Sequence, residues 1–199
     1  MMQQANTVTA VDVGTTKVCT IIGRKNGTKD LHILAHSVVP CEGLRKGNVA
    51  DVAETEKAIR ASIKEVERKT GVSVHSAYVG ITGAHLSFEN RWTKLEWAGK
   101  RGVITADELT RVPQTVAASS VESGRQVIHA IPKTYSLDGE NGIRNPLGMH
   151  TGYLKVESHV VTGASSFVEK LVEAVERGGI KVESLVLEPL ASSEAVLTS

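Results

Sequence analysis

Asp12, Gly14, Thr15, Thr16 and Lys17 place a carboxylate, a glycine, two hydroxyls and an ammonium within six residues, between two apolar runs. That set can handle phosphate. Successive backbone N–H groups in a tight glycine turn can converge into a nest that binds anions. Threonine hydroxyls add donors, and lysine adds a compact positive charge. Asp12 could hold a hydrated Mg²⁺, an ion that keeps several waters and takes few protein carboxylates. The same letters also describe a plain hairpin, with threonine as a β-former and glycine satisfying the turn. What surrounds the turn has to separate the two readings.

Val8 to Val13 is an apolar run suited to a buried central strand, and Gly14-Thr15-Thr16 turns it into a second run, Val18 to Ile22. Asn26-Gly27 signals the next turn and Leu31 to Val39 reads as a third strand. His32 and His36 are expected on one face of it, with no cysteine at metal-ligand spacing. Asp51 with Glu54 then resembles a capping box, and Val52, Ile59, Ile63 and Val66 recur at helical spacing until Gly71 stops the helix. A fourth strand follows from His75 to Thr82. Near the other end, Ser166 and Glu169 suggest another cap ahead of Val168, Leu171, Val172 and Val175. Gly178-Gly179 closes that helix, Ser184 to Glu188 is a short strand, and Pro189 suits the first turn of a last helix.

Residues 84–162 differ in texture. They offer a strand near Leu86, a helix opened by Thr105 with Glu108 and interrupted by Pro113, and two long strands, Gln126 to Leu137 and Tyr153 to Val161. Without this segment the remainder reads βββαβ, then αβα. The expected fold class is therefore α/β, a ribonuclease-H-like or actin-like ATPase subdomain over residues 1–83 and 163–199. An α+β strand-helix-strand-strand subdomain is inserted at 84–162. In that context the phosphate reading of the turn gains over the plain hairpin.

Composition narrows the classes. The chain has 199 residues, 41% hydrophobic and 23% charged, with a formal net charge of +1, so a broad nucleic-acid footprint is not expected. No apolar run approaches the roughly 20 residues that cross a bilayer, and the two cysteines, Cys19 and Cys41, imply no disulfide framework. A cytoplasmic protein is expected. A ribonuclease-H-type nuclease would want a carboxylate after the fourth strand, where the sequence reads Gly80-Ile81-Thr82-Gly83. A sugar kinase would need a later aspartate as general base, from a second lobe.

A third class matches far more of the chain. The sequence resembles FtsA, the actin-like bacterial cell-division family, in "VDVGTTKVCTIIG" (Val11 to Gly23), "GLRKGNVADV" (Gly43 to Val52), "SAYVGITGAH" (Ser76 to His85) and "VITADELTRV" (Val103 to Val112). The resemblance continues through the insert from Val127 to Ala164 and in "LEPLASSEAVL" (Leu187 to Leu197). It implies the first half of a protein that binds ATP with Mg²⁺, self-associates, and links FtsZ filaments to the cytoplasmic face of the membrane at the division site. It also implies recruitment of later divisome proteins through the insert, and adaptor work rather than an enzyme's. By the match, Asp12, Gly14, Thr15, Thr16 and Lys17 form the first phosphate loop, with Asp12 touching Mg²⁺ through water. FtsZ and membrane contacts are expected from regions beyond this stretch, leaving a half-site that binds nucleotide weakly. Other readings are a PilM-type actin-like adaptor of pilus assembly, or an ATPase of the sugar-kinase or Hsp70 type.

Two insert segments are candidates for partner contact. Trp92, Leu95 and Trp97 either form an aromatic hot spot or pack within the insert's own sheet. The glycine-, asparagine- and proline-rich "DGENGIRNPLGM", with Arg144, Asn145 and Met149, has the character of an ordered functional loop. The basic turn "RKGN" (Arg45 to Asn48) reads as solvated.

Overall fold

The computed structural model describes residues 7–27, 30–96 and 103–197. The chain divides into two compact units, one running to His85 and resuming at Ser166, the other Leu86–Ser165.

In the first unit, β1 (Thr7–Val13), β2 (Lys17–Asn26) and β3 (Asp30–Pro40) form an antiparallel meander. A two-stranded hairpin follows, β4 (Leu44–Arg45) with β5 (Asn48–Val49), and then α1 (Val52–Thr70) and β6 (Ser76–Ile81). Lys46 and Gly47 turn that hairpin with φ of 51° and 78°, and Arg45 and Lys46 are exposed, so "RKGN" is a solvated turn that also closes a two-stranded hairpin. The Asp51 carboxylate accepts the Glu54 N–H at 3.0 Å and Gly71 closes α1 in the left-handed region at φ 68°. Both ends of α1 are therefore set by the residues that the sequence marks for them.

β6 lies parallel to β1, giving the order β11-β6-β1-β2-β3 once β11 (Lys181–Leu187) is added on the far side. Ser62 of α1 donates to buried Thr20 Oγ1 at 2.7 Å, so α1 covers the sheet face that carries Thr20, Val18, Ile22, Val11 and Val79. One β-bulge alters an expectation. Leu34 is an extra residue on β3, because Ile22 faces Ala35 while Gly23 faces Ile33. His36 then pairs with Ile21 and His32 with Arg24, which places the two histidines on opposite faces rather than one.

The second unit begins with β7 (Leu86–Lys94), followed by α2 (Ala106–Thr110), α3 (Val112–Ser119), β8 (Arg125–Leu137), β9 (Glu140–Ile143) and β10 (Leu154–Ala164). Its antiparallel sheet runs β7-β10-β8-β9. The helices pack on one face through Val112 and Val116, against Leu95, Ile104, Tyr135, Leu137, Leu154, Val156 and Val160. Thr105 and Glu108 complete a reciprocal capping box. Pro113 does not kink one helix; a new helix starts around it at Val112, where a missing N–H costs nothing. β9 was not expected. Asp138, Gly139 and Gly142 all take positive φ, which lets the chain reverse and pair Tyr135 with Ile143.

Back in the first unit, α4 (Ser165–Arg177) begins one residue earlier than Ser166, so Ser166 lies inside the helix rather than capping it. Val168, Leu171, Ala174 and Val175 are its buried stripe. Beyond β11, α5 (Glu188–Val196) opens with Pro189 in its first turn and buries no residue.

Candidate functional site

The site is built on parallel strands. β1, β6 and β11 run side by side in one direction, so their carboxyl ends share an edge, the usual place for ligands in open α/β sheets. Asp12 stands near the end of β1 and is exposed, as are Thr15, Thr16 and Lys17, while Gly14 is half-buried.

The turn is tight. The Gly14 N–H donates to the Lys17 carbonyl at 2.9 Å, and the Thr16 carbonyl accepts the Cys41 N–H at 3.0 Å. A Cβ on Gly14 would lie 3.1 Å from the Lys17 carbonyl oxygen, so the glycine serves a close backbone approach. None of residues 14–17 has positive φ, and the Gly14 N–H is already spent inside the turn. The Gly14 N–H is therefore not offered to an anion. What the turn presents to solvent is the hydroxyls of Thr15 and Thr16, the Lys17 ammonium and the Asp12 carboxylate.

A further carboxylate meets Asp12. Glu188, the first residue of α5, follows the end of β11 directly. Gly80 of β6 lies beneath both acids. A Cβ there would sit 3.3 Å from Glu188 Cγ and 3.5 Å from Asp12 Oδ1, so both acids close over the space that a side chain would fill. Burial, then the Asp12 charge, then a hydrogen bond between the two carboxyls push the Glu188 pKa up to about 7. Such a bond needs a proton on one partner. Among the described residues no group of three or more histidine, cysteine or acidic side chains could hold a metal directly. The donor set is thus two carboxylates and exposed hydroxyls, which suits a hydrated Mg²⁺ with phosphate oxygens completing its shell.

Glu188 escaped the sequence reading of the site, although both its strand and Pro189 were recognised. Its signal was positional: an acid at the junction of a strand and a Pro-started helix, on a strand that lies parallel to β1. That relation exists only once β11 has paired with β6.

The partner candidates lie in the second unit and are described there alone. Leu95 is 2% exposed and belongs to the core, whereas Trp92 on edge strand β7 is 45% exposed. Trp97 lies outside the described residues. Arg144, Asn145 and Met149 are all exposed on one ordered loop. Its backbone is held by Ile104, whose carbonyl accepts Gly148 N–H at 2.9 Å and whose N–H donates to the Met149 carbonyl at 3.0 Å. Asn145 Oδ1 accepts the Leu147 N–H at 3.1 Å.

This architecture is that of the actin-like ATPase fold. A solved PilM-PilN type IV pilus biogenesis complex superposes with a TM-score of 0.61 at 13% identity, over 94% of this chain and 49% of that one. Residues 83–162 match the family described as the SHS2 domain inserted in FTSA. The cell division protein FtsA of Neisseria meningitidis serogroup B is 31% identical over 198 residues, all of this chain and 47% of that protein. FtsA of Bacillus subtilis is 30% identical over 95% of this chain and 43% of its own length. The chain is similar to FtsA proteins along nearly its whole length and spans about half the length of these relatives.

Proposed function

We propose that this chain carries the phosphate-binding lobe of an actin-like cell-division protein that binds ATP with Mg²⁺. The observation that carries the reading is the meeting of Asp12 and Glu188 over Gly80, beside the Thr15-Thr16-Lys17 turn at the carboxyl edge of three parallel strands. In this reading Lys17 and the two threonine hydroxyls hold phosphate oxygens, while Asp12 and Glu188 orient water on the metal. Mg²⁺, when bound, supplies positive charge against the polyphosphate. A bound Mg²⁺ would favour the ionised form of Glu188, since a protonated carboxyl is a poor partner for a hydrated ion. The role is nucleotide-dependent scaffolding rather than turnover of a metabolite. The relatives' name supports division as the setting. FtsZ linkage, membrane attachment, self-association and recruitment of later division proteins are proposed for a protein of the relatives' full length. The exposed Trp92 and the Arg144–Met149 loop are the proposed contact points for the recruited proteins.

Titrating Mg–ATP into isotope-labelled chain and following amide shifts tests the site. Shifts centred on residues 12–17, 80 and 188 are expected. Saturable shifts elsewhere, with these residues silent, would refute it.

A further inference from the structure

The short hairpin of β4 and β5 is tied to the candidate site at both ends. At its base, the Cys41 N–H donates to the Thr16 carbonyl at 3.0 Å, and β4 begins a few residues later at Leu44. At its tip, Gly47 packs backbone to backbone on the segment that follows β6. A Cβ on Gly47 would lie 3.1 Å from Gly83 Cα and 3.2 Å from the Thr82 carbonyl oxygen. Leu44, Gly47 and Val49 line one recess with Val13 and Gly80, which stand at the ends of β1 and β6. The hairpin therefore runs along the carboxyl edge of those strands, from the phosphate turn to the segment just beyond Gly80.

Its tip carries two cations that the fold does not use. Arg45 and Lys46 are exposed, and among the described residues neither side chain has a hydrogen-bond or ion-pair partner. Turn chemistry does not call for the lysine. Two consecutive residues at positive φ, Lys46 and Gly47, are the mark of a type I′ turn, which favours Asn-Gly. A lysine in the left-handed region costs stability, and no contact within the hairpin offsets that cost. Charge supplies a reason for both residues. Asp12, Glu188 and the exposed Glu42 stand at this edge, with Lys17 as the turn's own cation. A polyphosphate meeting three carboxyls and one ammonium is repelled at close range. Arg45 and Lys46 bring the cations to three, on long stems that leave the turn uncrowded.

We propose that the β4–β5 hairpin is a second phosphate-contacting element of this site, in which Arg45 and Lys46 bind polyphosphate oxygens that Lys17 and the threonine hydroxyls leave open. This assignment rests on the nucleotide reading of the turn and adds a named pair of binding residues to it. Arg45 brings a planar fork suited to two phosphate oxygens at once, and Lys46 a compact point charge. The chemistry recognised is the phosphate chain, so magnesium tripolyphosphate should behave as Mg–ATP does.

Amide shifts of isotope-labelled chain at low ionic strength, with each of those two ligands, test the assignment. Gly47 and Asn48 amides should shift together with those of residues 12–17. Arg45→Gln combined with Lys46→Asn should weaken both ligands roughly tenfold, at roughly threefold for each exposed charge contact. Lys25→Gln, at the opposite end of β2, should change neither. Lys46→Asn alone should keep or raise the melting temperature while weakening binding, a split that a merely structural lysine would not give. Arg45→Gln alone carries the binding comparison if the double variant does not fold. Unchanged affinity in the hairpin variants, with the shifts at residues 12–17 intact, would overturn the hairpin's role and leave the nucleotide reading standing. An equal loss with Lys25→Gln would overturn it as well, as a diffuse effect of net charge. Silence at residues 12–17 in the unaltered chain would overturn both.

Discussion

At the scale of single residues, the Asp12–Glu188 pair makes the sharpest prediction. An ordinary glutamate titrates near about 4.3, and Glu188 is pushed up to about 7. The folded protein therefore holds this proton more tightly than the unfolded chain. Its contribution to stability is fully present below the unfolded value and is lost as pH rises through about 7. Glu188→Gln should flatten stability between pH 5 and 8, as read from urea midpoints, and Asp12→Asn should return the Glu188 carboxyl resonance toward the usual range. The phosphate turn makes a second prediction. In the proposed binding mode one turn and two carboxyls would meet only phosphate and metal, so Mg–ATP affinity of this chain should be millimolar, about −4 kcal/mol. Lys17→Ala should weaken it by about 1 kcal/mol, roughly fivefold. Calorimetric binding in the micromolar range would contradict the first figure.

At the scale of elements, the caps decide where helices begin and end. Asp51→Ala removes the acceptor for the Glu54 N–H and should cost about 1 kcal/mol. Gly71→Ala forces a side chain into the left-handed region and should cost a similar amount. Thermal melts of the two variants test both. The insert gives a cleaner contrast. Leu95 is buried among Ile104, Val112, Val116 and Leu154, so Leu95→Ala should cost about 2–5 kcal/mol. Trp92→Ala, on the exposed edge strand, should cost less than about 1 kcal/mol. Urea denaturation of the pair checks this, and equal losses would mean that Trp92 is a core residue. The two residues lie three apart on a strand and its extension, and nothing in their types says which one turns inward; pairing with β10 makes that choice.

At the scale of the whole molecule, the order βββαβ, then αβα, was legible because each element carries its own punctuation. Asp51 and Gly71 bracket α1, Thr105 and Glu108 open α2, and Pro189 opens α5. The features that escaped were relations between paired strands. β9 needs three residues with positive φ followed by pairing across the hairpin, and the β3 bulge shows only as a register shift against β2. The division role proposed above also belongs to this scale. Trp92→Ala combined with Met149→Ala should leave the melt and the Mg–ATP shifts unchanged while weakening capture of division proteins by at least tenfold. Pull-down with purified candidates, alongside the unaltered chain, would show the difference.

The sequence alone determined the local chemistry of this protein. Asp12, the glycine turn, the threonines and Lys17 are contiguous, and helix caps and apolar spacing act over a few residues. Tertiary structure decided what those groups meet. Glu188 stands 176 positions beyond Asp12, and only the parallel pairing of β1, β6 and β11 brings their carboxyls together over Gly80. Antiparallel pairing of β1, β2 and β3, with β6 beside β1, likewise gathers Tyr78, Ile21 and Val38 onto one face. Local signals travel along the backbone, whereas a shared proton or an exposed patch depends on distances across the fold.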